Sequence, residues 1–197
     1  PIQLSWIQLN PYTNPTERGF GTSALFTNHC ANDYGLSVNP KTGKRFMNEH
    51  AGRKVKSDAI FACMAQSDKN DNYPVNICDQ AAVDANNIAY TKKGVEEGSI
   101  KKFNTLEELA KAYNIPLEPF LETIKNFNEY VKNEKDPEFG KPLTKADVNG
   151  IGITKAPFYA SETTPKILYC MGVGLLYTSP IPRYATLSRM LSSSSTN

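Results

Sequence analysis

The sequence predicts an α+β fold in which helices surround a small sheet. Two strand-like stretches within 34–47 flank a turn rich in Asn, Pro and Gly, which favours a β-hairpin. Between 120 and 131 apolar residues recur at helical spacing, and strand-like stretches return at 157–160 and 167–170. Short strands and amphipathic helices in one chain of this length together predict the α+β class.

The N-terminal part is predicted to form a strand, a loop and the hairpin. Apolar residues occupy nearly every second position of 2–9, which is typical of a strand with one buried face, and we expect 10–15 to end it. The glycines at 19 and 21 indicate a loop. The hairpin is expected to pair 34–38 with 45–47 across the turn Asn39–Gly43.

The middle of the chain is predicted to contain short helices and strands. A helix is expected to begin between Arg53 and Ser57 and to run to Gln66, because apolar residues recur in it at helical spacing. The further elements are a loop at 68–73, a strand at 75–78, a helix at 80–90 and an extended piece at 100–103.

A capping box provides the clearest local signal. The Thr105 hydroxyl is expected to bond the amide of Glu108, and the Glu108 carboxylate to return to the amide of Thr105, at the start of a helix that runs through Tyr113. Prolines then open a second helix, whose apolar stripe we expect to lie in the core: Phe120, Ile124, Phe127 and Val131.

Composition excludes several classes of partner. The 22 basic and 20 acidic residues are spread along the chain, so we expect no nucleic-acid partner, and no apolar run is long enough for a membrane span. The cysteines form no CxxC pair and only two histidines are present, so no zinc site of the usual spacing can be written. Buried free thiols are expected at Cys30, Cys63, Cys78 and Cys170.

Three segments carry a resemblance to a known family. They are 43–49 followed by Arg53; 105–110 continuing into 128–131 and 135–142; and 157–160 with Thr164, Pro165, Met171 and Gly172. In order and spacing they resemble the flavoprotein of fumarate reductases and of urocanate reductases.

The resemblance implies a capping domain with short flanking pieces of an FAD-binding domain. We expect 1–39 to end the first part of the FAD-binding domain and to include a substrate loop, 40–155 to form the capping domain, and 156–174 to return to the FAD-binding domain. The serine-rich 175–197 diverges and is expected to be disordered. FAD is the implied cofactor, and the lack of a GxGxxG fingerprint predicts that most of its site lies outside this chain, which alone is expected to be inactive.

The family chemistry implies a role for Arg53. In such enzymes a hydride passes from flavin N5 to one alkene carbon of an unsaturated carboxylate, and an arginine at the position of Arg53 gives a proton to the neighbouring carbon. Arginine is a weak acid in water, but a carbanion that develops beside a desolvated guanidinium can take its proton. The implied partners are a small unsaturated carboxylate and an electron-donor protein or domain.

The residues expected to bind substrate, by the same resemblance, are Tyr12, Thr27, Asn28 and Tyr169. Several positions depart from the fumarate pattern: Asn10 replaces a carboxylate-binding histidine, and Asn28 replaces a glutamate of the proton relay. Tyr169 or Leu168 occupies the place of another histidine. We therefore expect a substrate larger or less charged than a small dicarboxylate.

Some alternatives remain open at this stage. His50 and Glu49 can be considered as a replacement for the relay, although a structural role is favoured for both. A related flavoenzyme that acts on a steroid or an amino acid is a second hypothesis, supported by the altered contact positions. A non-catalytic module that binds a small acid or a protein is a third, supported by the absent flavin fingerprint.

Overall fold

The structure, a computed structural model, describes residues 7–86, 88–146 and 152–170. The chain divides into two compact units, one of residues 9–166 and one of residues 1–8 with 167–197. The start of the predicted first strand, the Met171–Gly172 motif and the predicted disordered tail lie outside the described residues.

A five-stranded antiparallel sheet lies at the centre of the larger unit. Its strand order is β3-β2-β4-β6-β5, and every neighbouring pair is antiparallel. The strands are β2 Leu36–Asn39, β3 Lys44–Arg45, β4 Val75–Asp79, β5 Lys101–Phe103 and β6 Phe158–Glu162. The predicted hairpin is confirmed as β2 and β3, and Gly43 in its turn has a φ of +71°, a conformation that favours glycine.

Helices cover both faces of this sheet, so the predicted α+β class is confirmed. They are α1 Ser23–Leu25, a π-helix Phe26–Ala31, α2 Asn32–Tyr34, α3 Arg53–Met64, α4 Gln80–Ala85, α5 Ile88–Glu96, α6 Leu106–Ala112 and α7 Leu117–Lys132. Two further strands, β1 Ile7–Thr13 and β7 Thr164–Cys170, form a two-stranded sheet. None of the described helices is both long and apolar enough to cross a membrane.

The two faces of the sheet bury two separate cores, because side chains alternate along each strand. Val75 and Ile77 of β4 pack with α6 and α7 in the larger core. Cys78, on the opposite face, packs against the π-helix and α4 with Phe26 and Cys30. The predicted apolar stripe of α7 belongs to the larger core, as expected: Phe120, Ile124, Phe127 and Val131.

The capping box of α6 is confirmed in one of its two bonds. The Glu108 amide donates to Thr105 Oγ1 at 3.1 Å. The Glu108 carboxylate, however, accepts from the amide of Asn104 at 3.0 Å instead of that of Thr105.

Two sequence predictions about the helices and strands were wrong, and one helical segment was missed. The first strand does not end at Asn10 but continues to Thr13, because the Pro11 carbonyl is bonded by Thr163 Oγ1 at 2.7 Å and proline is tolerated in an edge strand. The helix expected at 80–90 is two helices, since Asn86 leaves the helical conformation and donates to the His29 carbonyl. The helical segment 23–34 was not predicted.

Four charged side chains form a buried ion cluster: Arg45, Glu49, Asp136 and Lys141. Arg45 Nη2 lies 2.7 Å from Glu49 Oε2 and 3.0 Å from Asp136 Oδ2, and Lys141 Nζ lies 3.7 Å from Glu49 Oε2. The Glu49 carboxylate also accepts the Ser37 amide at 3.0 Å. The cluster thus joins β3, the turn before α3 and the loop after α7.

The positive charges of the cluster keep its buried carboxylates ionised. Burial alone would raise the pKa of Glu49, but the charges of Lys141 and Arg45 hold that pKa below its ordinary value. Burial also opposes the charge of Asp136, yet the hydrogen bond and charge of Arg45 lower its pKa. Burial lowers the pKa of Lys141 to about 8, although Glu49 opposes this.

Replacement of Glu49 by Gln should destabilise the chain by about 3 to 5 kcal/mol, because Arg45 and Lys141 would lose their shared buried carboxylate. Urea unfolding followed by circular dichroism measures this. The matched control is Asp58→Asn, which removes an exposed partner of Lys54 and should cost less than about 1 kcal/mol. Equal effects of the two substitutions would contradict a stabilising role for the cluster.

Acid should weaken the fold through the same carboxylates. Because the pKa of Glu49 is lower in the folded than in the unfolded chain, its contribution is complete above the unfolded value and is lost as the pH falls toward the folded value. We expect the free energy of unfolding to fall as the pH drops below about 4.5, less steeply in Glu49→Gln. Urea midpoints measured between neutral and acid pH give the slope for both proteins, and identical slopes would contradict this linkage.

Replacement of Thr105 by Ala should cost about 1 kcal/mol, because α6 would lose the side-chain acceptor at its N-terminus. Thr144 is exposed and serves as the control, since Thr144→Ala removes the same atoms without touching a helix cap. Thermal or urea unfolding compares the two variants, and a Thr105→Ala effect no larger than that of the control would exclude a capping contribution.

Candidate functional site

The Arg53 side chain stands at the beginning of α3. It is the first residue of the helix, after the extended N-cap residue Gly52 (φ −58°, ψ 153°). The side chain is half-buried, and among the described residues its guanidinium has no hydrogen bond and no ion pair. The structure therefore presents Arg53 as a cation with its donors available.

The first turn of α3 is positive. No acidic residue lies in it, and Gly52 supplies no side-chain cap. The backbone amides at a helix N-terminus add positive potential. Lys54 is exposed and pairs with Asp58 at 2.8 Å, so the nearest carboxylate on the helix is already engaged. This end of α3 is suited to an anion.

Tyr12 contacts a lysine that sequence reasoning missed. Lys56 Nζ donates to Tyr12 Oη at 2.9 Å, lies 4.4 Å from the centre of the Tyr12 ring, and donates to the Glu49 carbonyl at 3.1 Å. Lys56 is 4% exposed. It follows Arg53 by three positions, and such residues lie on the same side of a helix; this spacing is the signal that could have found it.

Asn10 holds the backbone next to Tyr12. Its Oδ1 accepts the amide of Tyr12 at 3.1 Å, within β1. The asparagine that replaces the expected histidine therefore has a local structural partner. Tyr12, two positions later in β1, provides the polar side chain that contacts Lys56.

Thr27 and Asn28 lie in the π-helix, a conformation often found at functional sites. Thr27 is 1% exposed, and its hydroxyl accepts from Asn76 Nδ2 at 3.4 Å. Asn28 is half-buried, with Nδ2 at 3.2 Å from His29 Nε2. Within the described part of the chain no hydrogen bond or ion pair joins these two residues to Arg53 or Tyr12. Their role in binding substrate stays a prediction.

Tyr169 belongs to β7 and to the smaller unit. Its backbone is described and its side chain is not. Its expected role as a phenol donor therefore also stays a prediction.

The two alternative relay residues have structural partners. Glu49 is fully buried in the ion cluster described above. His50 Nε2 lies 3.3 Å from Asp33 Oδ1. Burial and the charge of Lys141 lower the pKa of His50, while Asp33 opposes this. The favoured structural reading of Glu49 agrees with these contacts.

The described residues do not by themselves fit the phosphates of FAD. A dinucleotide pyrophosphate binds where a glycine-rich turn leads from a strand into a helix. Here the two junctions from a strand directly into a helix are closed by side-chain caps: Asp79 Oδ1 accepts Ala82 N before α4, and Thr105 caps α6. Among the described residues there is also no cluster of three or more potential metal ligands.

The chain is similar to known flavoproteins. A family model described as "FAD binding domain" matches residues 5–175. The acrylate reductase flavoprotein subunit of Shewanella woodyi is 35% identical over 172 residues, which cover 87% of this chain and 33% of that protein. The NADH:acrylate oxidoreductase of Vibrio harveyi is 30% identical over 175 residues, covering 87% of this chain and 16% of that protein.

The likeness extends to a urocanate reductase and to a fumarate reductase structure. The urocanate reductase of Eggerthella lenta is 26% identical over 177 residues, 87% of this chain and 27% of that protein. The open conformation of a flavocytochrome c3 fumarate reductase superposes with a TM-score of 0.64 at 24% identity, over 86% of this chain and 27% of that chain.

These comparisons confirm the resemblance read from the sequence. The chain spans a third or less of the length of each of these proteins. The family match covers most of the chain, and it agrees with the predicted cofactor FAD. The chain belongs to the family of FAD binding domains and is related to the acrylate, fumarate and urocanate reductases.

Proposed function

We propose that this chain is the part of an FAD-dependent reductase that binds an unsaturated carboxylate and gives a proton to it as its C=C bond is reduced. The observation that carries the proposal is Arg53, a half-buried guanidinium that has no partner among the described residues and stands in a first helical turn without acids. We place the capping domain at 40–155 and regard the chain alone as inactive, since its described residues lack a site for the phosphates of FAD.

Arg53 acts as the proton donor in this proposal. When bound, reduced FAD supplies a hydride from N5 to one alkene carbon. The electron pair of the double bond then moves to the neighbouring carbon, which takes a proton from the Arg53 guanidinium, and the neutral side chain regains a proton from solvent. A guanidinium is a very weak acid, so the transfer needs a strongly basic carbanion held against the donor in a site that excludes water. The guanidinium charge also stabilises that anion before transfer.

A small monocarboxylate, such as acrylate, is the substrate that the site favours. Asn10 and Asn28 are neutral where the fumarate pattern has a histidine and a glutamate. A second carboxylate would therefore lack a cationic partner at Asn10. Two relatives that are at least 30% identical over 87% of this chain are named for acrylate, which supports the same substrate. In this proposal Tyr12, Thr27, Asn28 and Tyr169 contact the substrate.

Replacement of Arg53 by Ala or Gln should lower the rate of alkene reduction by at least about a thousandfold, because it removes both the proton donor and the charge beside the carbanion. The assay uses the flavin-loaded protein that carries this segment, with acrylate as the oxidant of the reduced flavin. Flavin absorbance of the purified variant should be unchanged.

The neighbouring Lys54→Gln is the matched control, since Lys54 is an exposed cation of the same turn that pairs with Asp58. It should reduce acrylate at nearly the original rate. Turnover retained in the Arg53 variants would remove Arg53 from the mechanism, whereas loss of flavin would indicate a structural defect.

The same protein should use acrylate with a kcat/KM at least about tenfold higher than fumarate, because a second carboxylate must be desolvated without a charged partner. Steady-state rates with the two acids at equal ionic strength provide the comparison. Preference for fumarate would contradict the assignment of Asn10 and Asn28 as neutral contact positions, and reduction of neither acid would overturn the proposed function.

A further inference from the structure

The Lys56 ammonium is a buried cation without a carboxylate partner in the described part of the chain. It is 4% exposed, and its acceptors are the neutral Tyr12 phenol and the Glu49 carbonyl. A buried charge is costly unless an opposite charge accompanies it. Over 7–86, 88–146 and 152–170 the two other buried cations are Arg45 and Lys141, and both have such partners. Lys56 is the exception among them.

The contacts of Lys56 leave donors for a ligand. An ammonium group has three N–H donors, and two of them have acceptors here. Because Tyr12 Oη accepts from Lys56, the phenol proton remains available to donate. Ser57, the next residue, has a fully buried hydroxyl that has no hydrogen-bond partner among the residues that the structure describes. This part of α3 therefore has unused polar groups and excess positive charge.

Positive charge dominates around Lys56. Arg53 lies on the same side of α3, and the charge of Lys56 itself contributes to the lowered pKa of His50, after burial and Lys141. Asp58, the acid nearest in sequence on this helix, is exposed and already paired with Lys54. An anionic ligand would supply the compensating charge that the described residues lack.

We propose that Lys56 and Tyr12 together bind the carboxylate of the substrate, beside Arg53. This proposal rests on the proposed function and identifies which residues recognise the acid. The chemistry requires such an arrangement: hydride adds to the carbon farther from the carboxylate, and the proton goes to the carbon next to it. The proton donor and the carboxylate-binding residue must therefore be neighbours, and Arg53 and Lys56 are neighbours on one side of α3.

Lys56 and Tyr12 also provide the carboxylate-binding function that the fumarate pattern assigns to a histidine at the position of Asn10. Asn10 cannot offer a charge, and its oxygen is engaged by the Tyr12 amide. A buried lysine held by the adjacent tyrosine provides one cationic site, which suits one carboxylate. The pair therefore determines both the recognition of an acid and the preference for a monocarboxylate.

The test compares an acid with its neutral amide. Acrylate and acrylamide have the same alkene and nearly the same shape, but only acrylate carries a charge. In the flavin-loaded protein that carries this segment, Lys56→Gln should raise the KM for acrylate about tenfold to a hundredfold, as expected for the loss of a charged hydrogen bond. The KM for acrylamide and the kcat for acrylate should change by less than about threefold.

Two variants serve as controls. Lys54→Gln removes an equal charge from the exposed side of α3 and should leave both KM values unchanged. Tyr12→Phe keeps the ring beside Lys56 but removes its hydroxyl, and should raise the KM for acrylate selectively by a smaller factor. If Lys56→Gln raises the KM values for acrylate and acrylamide equally, or changes neither, Lys56 only connects β1 with the turn at Glu49. The proposal is then overturned.

A binding measurement separates failure of this proposal from failure of the proposed function. Propionate has the carboxylate but no double bond, so it cannot be reduced. It should shift the NMR signals of Tyr12 and of the Lys56 ammonium in the same protein, and Lys56→Gln should abolish the Tyr12 shift. If the wild-type protein reduces no alkene but shows these shifts, the anion site stands and the reductase function fails. Absence of the shifts would overturn the anion site itself.

Discussion

Glu49 occupies the position on which the arrangement of this chain depends. Its carboxylate is shared by Arg45 and Lys141 and also accepts the amide of Ser37, so one fully buried acid connects β3, β2 and the loop after α7. Its backbone carbonyl oxygen accepts a hydrogen bond from Lys56 Nζ. Because α3 begins four positions later, the anchoring of Glu49 also sets where Arg53 begins the helix. The ion cluster is therefore the structural base of the candidate site.

The buried cations among the described residues differ in the partners that they have. Arg45 and Lys141 are held by carboxylates on elements far apart in sequence, and Arg45 also lies over the rings of Phe127 and Phe139. Their charges are compensated inside the fold. Lys56 is as thoroughly buried, but its acceptors are neutral. Loss of a carboxylate partner would leave Arg45 or Lys141 with an uncompensated buried charge, whereas Lys56 already has only neutral acceptors in the described part of the chain.

The other predicted contacts are supported by a polar layer beneath the sheet. Thr27 is buried against Asn76, which in turn accepts from the Ser37 hydroxyl. The same strand β2 thus contributes Ser37 to this layer through its side chain and to the ion cluster through its amide. The π-helix and the turn before α3 are therefore positioned by one strand. This shared support makes it possible for residues of both segments to serve a single site in the complete flavoprotein.

Local sequence patterns predicted most helices and strands correctly. They failed where contacts between residues far apart in sequence determine the structure. The capping box, the stripe of α7 and the hairpin were read correctly because each depends on residues close in sequence. The segment 23–34 contains Asn28, His29 and Asn32, which are weak helix formers, and it is helical because Phe26 and Cys30 are buried with Cys78 of β4. Asn86 ends α4 with a bond to His29, a contact across the fold that no local pattern contains.

By itself the sequence determined the class of the fold and the family, and it singled out Arg53 as a candidate, because motif order and helical spacing are properties of the chain. Only the tertiary structure decided that Glu49 is a buried anchor and that Lys56 lies against Tyr12. The physical reason is that the burial and compensation of a charge depend on residues brought together by folding: Tyr12 and Lys56 are 44 positions apart, and Arg45 and Asp136 are 91 apart. Whether a lysine is a solvated surface group or a buried cation is therefore a property of the packed molecule.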